Sequence, residues 1–293
     1  MRLKIAGTIA FLILIIRIQF VYASNYEESK IDNIIAEFEG QLVSILKRDR
    51  TDASISFALI NKSNIVYVNA IGHAKIVKPA DSMSIYRIGS ITKTFTAFLM
   101  MQLVEDGTIH LDEAVEIYLA EIKHIRGYDI NRKITFRQLA SHTSGMIREP
   151  RNFKSSTGGI ELWENKTLIS ISKTSLKNQS GEKFLYSNIG YALLGLALSR
   201  AANKPFMELI EEKIFIPLGM TNTYFKIPTN KSNQLALGMG ALFKNKINKR
   251  AAKEHYGRGY KVPSGGIYST SFCGLAKVAI DPPNSQTPLK LRN

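Results

Sequence analysis

Apolar residues recur every three to four positions at Ile31, Ile34, Ile35, Phe38, Leu42, Ile45 and Leu46, with charges on the intervening face. That period predicts an amphipathic helix over 28–48. In "SISFALINKSNIVYVNAIGHA" it shortens to two: Phe57 and Leu59, then Val66 and Val68, alternate on either side of a polar turn from Asn61 to Asn64. Two strands are expected there. A second helical run opens at Ser90 and continues to Asp106, where Gly107 stops it. From 108 to 220 the pattern is mostly helical and broken by loops, and "NIGYALLGLALSRAANKPFMELIEEKIFIPLGM" carries two apolar-periodic segments. After 235, "LALGMGALF" and "VPSGGIYST" read as short strands and glycine turns.

The pattern therefore predicts an α/β fold, an antiparallel sheet flanked by helices with an all-helical domain inserted between the sheet's two halves. The sheet part takes residues 24–92 and 221–280, the helical insertion 93–220. The last residues, 281–293, within "DPPNSQTPLKLRN", are turn formers with almost nothing apolar and read as a disordered tail. An insertion of this kind leaves a cleft at the junction, where sites are commonly built.

The amino-terminal end has its own grammar. Arg2 and Lys4 precede an apolar stretch from Ile5 to Ile16, and Val21, Tyr22 and Ala23 form a small-residue cleavage site. Residues 1–23 are expected to be a signal peptide of an exported, periplasmic or secreted protein, with an uncleaved anchor as the alternative. Cys273 is the single cysteine, which excludes an internal disulfide. His73, His110, His124, His142 and His255 are scattered without metal-ligand spacing, so no metal or cofactor is expected. The formal charge of +15 comes from 39 lysines and arginines against 24 acidic residues, with lysines spread from Lys47 to Lys290 and densest over 242–253. Without a basic stripe interleaved with aromatics, nucleic acid is not an expected partner. Loose attraction to anionic cell-envelope polymers is.

Candidate chemistry sits in "YRIGSITKTF". Ser90 and Lys93 are three apart at the start of an apolar helix, which puts both side chains on one face. A helix amino terminus favours a developing oxyanion, and a lysine depressed below its usual range can take the serine's proton. The same spacing at Ser44/Lys47 and Ser170/Lys173 shows how weak the pattern is alone. Ser44 falls in mid-helix, where its hydroxyl is expected to bond a carbonyl one turn back, and Ser170 lies in a serine-rich polar stretch. Ser90 itself has a plain alternative, as an N-cap beside a solvated lysine. A second element is Tyr186-Ser187-Asn188, on a polar turn before an apolar helix. A tyrosine hydroxyl beside an ammonium can pass protons, and the asparagine can hold Lys93 and a substrate amide. Tyr67 and Asn69 repeat the spelling in a strand, pointing to one sheet face.

These stretches resemble the serine beta-lactamase and D-alanyl-D-alanine carboxypeptidase superfamily, in its class C-like branch of penicillin-binding proteins and esterases. The resemblance rests on "SIYRIGSITKTFTAFLMMQLVEDGTIHLDEAV", "ITFRQLASHTSGM", "FLYSNIGYALLG", "IFIPLGMTNTYF" and "VPSGGIYST", in order, across roughly residues 30 to 280. It implies that Ser90 is the acylated nucleophile, Lys93 its activating partner, Tyr186 the general base and proton shuttle, and Asn188 a substrate-binding orienter. It also implies acyl transfer on a small-molecule or peptide substrate, among them peptidoglycan-derived D-alanyl peptides, beta-lactams and esters. His142 in "SHTSG" corresponds to packing, and "PSGG" to a tight turn. The family further carries a Lys- or His-x-Gly strand after that turn. No such spelling follows Gly266 here; His255-Tyr256-Gly257 precedes the turn, and Gly274 stands where an acidic residue is common. The expectation is a chain missing C-terminal strands, with a catalytically impaired homologue or a binding module as the alternative function.

Overall fold

The computed structural model describes residues 30–48, 53–61, 64–75, 78–238 and 258–271. The signal-peptide and tail readings, and Cys273, lie outside the described residues. The chain forms two compact units, residues 1–51 and 52–293. In the first, residues 30–48 form helix α1, as the apolar period predicts. Ser44 donates its hydroxyl to the Gly40 carbonyl at 2.8 Å, the back-bond expected of a mid-helix serine.

The second unit begins with the expected hairpin. Strands β1 (Ser54–Asn61) and β2 (Asn64–Lys75) pair antiparallel, with Phe57 opposite Asn69 and Ala58 opposite Val68, and a register shift between Leu59 and Ile60. β3 (Lys78–Pro79) adds a short antiparallel edge. Tyr67 and Asn69 share a face as their period of two dictates, and the asparagine amide donates to the tyrosine hydroxyl at 3.1 Å. A second sheet is assembled from distant pieces: β4 (Tyr86–Arg87), β5 (Thr223–Tyr224) and β6 (Tyr268–Ser269), antiparallel in the order β4-β6-β5.

Between these lie the helices. α2 spans Thr92–Glu105, α3 Phe136–Ala140, α4 Trp163–Ile171 and α5 Asn188–Ala201. α6 (Phe206–Ile210) runs into a π-helical turn at Glu211–Phe215. α3 starts on a capping box, with Thr135 accepting from the Gln138 amide while Gln138 returns the bond. α5 is the central helix: its residues from Asn188 to Ser199 are all buried, as a sequence apolar on every side requires. Phe95, Leu99 and Leu103 of α2 pack with Leu193, Leu194 and Ala197 of α5, Phe136 and Leu139 of α3, and Phe206 and Phe215, in one core. Phe95 meets Phe215 edge to face at 5.8 Å between centroids.

Two local expectations are corrected. The "PSGG" stretch is not a tight turn but one turn of helix, α7 (Val262–Gly265), because Pro263 in its first turn presets a helical φ. Of the strand read over "VPSGGIYST", only Tyr268–Ser269 is extended. Gly195 explains how closely α7 approaches α5: a Cβ there would lie 2.4 Å from Pro263 Cγ, so the helix passes only because that position has no side chain.

Candidate active site

Ser90 lies in a 3₁₀ turn, Gly89–Ile91, that leads directly into α2. Gly89 is required there by its backbone, at φ 54°, rather than by crowding, since nothing lies within 4 Å of where its Cβ would be. The capping positions of both the turn and α2 are isoleucines without side-chain hydrogen bonds, so the Ser90 hydroxyl is not engaged as an N-cap. It is exposed, while Lys93, one turn on, is 6% exposed.

Lys93 Nζ is surrounded by oxygens. It donates to Asn188 Oδ1 at 2.8 Å and to the Ser264 carbonyl at 2.8 Å, and stands 3.4 Å from Ser90 Oγ. Its α-helical neighbours fix the far wall: Thr96 donates to the Pro263 carbonyl at 2.7 Å, and Thr92 accepts from the Ile267 amide at 3.3 Å. The first turns of α2 thereby hold α7 and deliver the Ser264 carbonyl to the amine.

The Tyr186 turn is latched to the segment after α3. Leu185 donates to the His142 carbonyl at 2.7 Å, Ser187 N to His142 Nδ1 at 3.2 Å, and Asn188 N to the Arg148 carbonyl at 2.9 Å. Ser187 caps α5, accepting from Gly190 N and donating to the Ile147 carbonyl, each at 2.9 Å. So held, Tyr186 places its hydroxyl 2.9 Å from Ser90 Oγ, and its ring centroid 4.9 Å from Lys93 Nζ. The structure thus brings Ser90, Lys93, Tyr186 and Asn188 into one cluster. Residues 90 and 186 are 96 positions apart in the chain.

His142 is packed among the aromatic rings of the site. It is buried in the left-handed region at φ 61°, with its ring 4.4 Å from that of Tyr186 and 5.0 Å from that of Tyr191. Burial, and then the Lys93 charge, lower its pKa from 6.5 to about 4. Burial likewise lowers the Lys93 pKa, against the opposing pull of Tyr186 and Glu149, and Arg258 lowers it further. Burial pushes the Tyr186 hydroxyl up, but Lys93, Ser90 and Arg148 outweigh it and leave the group below its ordinary value. Burial and then Tyr186 push Tyr191 up to about 12, and its hydroxyl donates to the Ala140 carbonyl at 2.9 Å.

Four partners were not legible as site residues. Glu149 Oε1 accepts from Asn188 Nδ2 at 2.6 Å and lies 3.1 Å from Lys261 Nζ. The Arg148 guanidinium stands 4.9 Å from the Tyr186 ring centroid. The Ser264 contribution is a backbone carbonyl, which no side-chain pattern can announce. Next to Glu149 and Lys261, Arg151, Asn152, Ser156 and Tyr260 help line a cavity of about 430 Å³. Among the described residues, no three His, Cys, Asp or Glu side chains gather as metal ligands would, and no helix is long and apolar enough to cross a membrane.

A serine flanked by a buried lysine and a tyrosine stands here on an α/β frame with antiparallel sheets, the fold of the serine beta-lactamase/transpeptidase superfamily. The Beta-lactamase family model matches residues 32–271, and the chain belongs to that family. It is similar to "Beta-lactamase-like protein 2" of Dictyostelium discoideum, 36% identical over 239 residues, 78% of this chain and 42% of that protein. The octameric penicillin-binding protein homologue from Pyrococcus abyssi matches at a TM-score of 0.67 and 25% identity, over 84% of this chain and 55% of that one. The beta-lactamase/D-alanine carboxypeptidase from Yersinia pestis, complexed with citrate, matches at 0.64 and 27%, over 80% and 63%. The chain spans less than two thirds of the length of each of these relatives.

Proposed function

We propose that this chain is an exported serine hydrolase that transfers acyl groups through an ester on Ser90, taking D-alanyl peptides, beta-lactams or simple esters as substrates. The observation that carries the reading is the convergence on Ser90 Oγ of Tyr186 OH at 2.9 Å and Lys93 Nζ at 3.4 Å. A neutral amine has two N–H bonds and one lone pair. The Asn188 and Ser264 oxygens take the two N–H bonds, so the lone pair faces the serine. Burial of Lys93 favours that neutral form. Ser90 then attacks the carbonyl carbon as its proton passes to Lys93 or Tyr186. The bond to the leaving group breaks, and the leaving group collects that proton through Tyr186. Water completes the cycle by the same route in reverse, releasing the acid and free Ser90.

The Yersinia relative's description as a beta-lactamase/D-alanine carboxypeptidase supports the substrate class. The test is burst kinetics with a chromogenic ester and a chromogenic cephalosporin. A burst matching the enzyme concentration, lost in Ser90→Ala, is expected. A folded protein that gives no burst and acylates with neither probe would overturn the reading in favour of a binding module or an impaired homologue.

A further inference from the structure

Asn188 poses a problem of orientation. A side-chain amide has a donor end and an acceptor end, and only one of its two flips presents oxygen to Lys93. Lys93 alone fixes that choice weakly, because a neutral amine accepts as well as donates. Glu149 removes the ambiguity. An ionised carboxylate is an acceptor only, and Glu149 Oε1 sits 2.6 Å from Asn188 Nδ2, so the amide must turn its nitrogen to Glu149 and its oxygen to Lys93.

We propose that Glu149 is a positioning residue of this site, whose carboxylate locks the Asn188 amide in the flip that receives a Lys93 N–H and so aims the amine at Ser90. The inference rests on the reaction proposed above and adds a residue to it. Its geometry is a relay of three bonds: Ser90 Oγ to Lys93 Nζ, Lys93 to Asn188 Oδ1, and Asn188 Nδ2 to Glu149.

A carboxylate so near the amine has an electrostatic cost, since it favours the charged lysine and opposes the effect of burial. Lys261 offsets it. Its ammonium lies 3.1 Å from the same Oε1 and is largely buried, at 16% exposure. Glu149 therefore orients the amide while Lys261 damps the charge the amine feels. The other groups around Lys93 are Tyr186 and, from α5, Tyr191, at 4.9 and 5.4 Å from ring centroid to Nζ. His142 lies on the segment after α3 and Arg258 on the segment leading to α7, while Arg148 lies beyond the Tyr186 ring. It is Glu149 that accepts from the Asn188 nitrogen.

Three variants separate charge from orientation. Glu149→Gln keeps an acceptor oxygen and removes the charge. The plateau kcat should fall a few-fold, because a neutral amide can itself flip and holds Asn188 less firmly, while the acid limb of the acylation profile, which reports Lys93 losing its proton, moves to lower pH. Lys261→Met leaves the Glu149 charge undamped, and the same limb should move to higher pH. Glu149→Leu removes both functions, and kcat should fall by about 10²-fold with a much smaller change in KM. A merely structural Glu149 would lower thermal stability in all three variants without opposite shifts of the limb. The side-chain NMR titration of Lys93, in parent, Glu149→Gln and Lys261→Met, reads the same two opposite shifts without any turnover. If Ser90 proves unreactive, the titration still decides the Glu149–Lys93 coupling. Superimposable titrations, or a Glu149→Leu protein with the parent kcat, would overturn the proposal.

Discussion

Ser90/Lys93 and Ser170/Lys173 have the same spacing and opposite burial. In α4 the Ser170 hydroxyl is fully buried and donates to the Lys166 carbonyl at 2.6 Å, while Lys173 is exposed. At the start of α2 the serine is exposed and the lysine is buried among oxygens of Asn188 and Ser264. The Ser170 hydroxyl is turned back on its own helix and out of a substrate's reach, and Lys173 points into solvent away from it. The reactivity proposed for Ser90 thus rests on where the two groups sit rather than on their spacing. The π-face of Tyr186 and the Ser264 carbonyl of α7 make that placement.

The comparison can be broken at several points. Ser90→Ala should abolish acyl transfer, by roughly 10³-fold or more, while Ser170→Ala leaves turnover unchanged and alters stability by about 1 kcal/mol or less. A chromogenic-ester assay beside thermal melts checks both. Lys93→Met should cost about 10²–10⁴-fold in kcat, the usual range for a lost general base, where Lys173→Met costs nothing measurable. Gly195→Ala attacks the placement itself. Its methyl group meets Pro263, overpacking that typically costs about 1–3 kcal/mol, and pushing α7 away should lower kcat by withdrawing the Ser264 carbonyl from Lys93. A lower Tm with unchanged kcat per folded molecule would detach α7 from the chemistry.

The smallest effect is on stability against pH. The His142 pKa is depressed in the folded chain, so between 6.5 and about 4 the unfolded chain gains a proton that the folded one does not. Stability should therefore decline as pH falls from 6.5 to about 4 and have no further His142 contribution below that. Denaturant melts across this window, with His142→Asn as the control lacking the titration, measure it.

Much of this was readable along the chain. The period of α1, the hairpin, the apolar run of α2 and the buried α5 all follow from spacing, because each element buries its own face. Ser90, Lys93, Tyr186 and Asn188 were legible as candidates because each stands at the mouth of such an element. Glu149 and Lys261 were not: they reach the site from 39 and 112 positions away from their partners, on segments with no period to mark them. The α7 turn was misread because two glycines after Pro263 suggest a tight turn, whereas the packing of Pro263 on Gly195 favours a helical one.

The most direct measurement is peptide mapping of the protein after reaction with a fluorescent penicillin, in the parent and in Lys93→Met. The expected result is label on Ser90 alone in the parent, formed far more slowly when the amine is gone. Label on Ser44, Ser170 or any other serine, or equal labelling of Ser90 without Lys93, would contradict the claim that burial of that lysine makes its serine reactive.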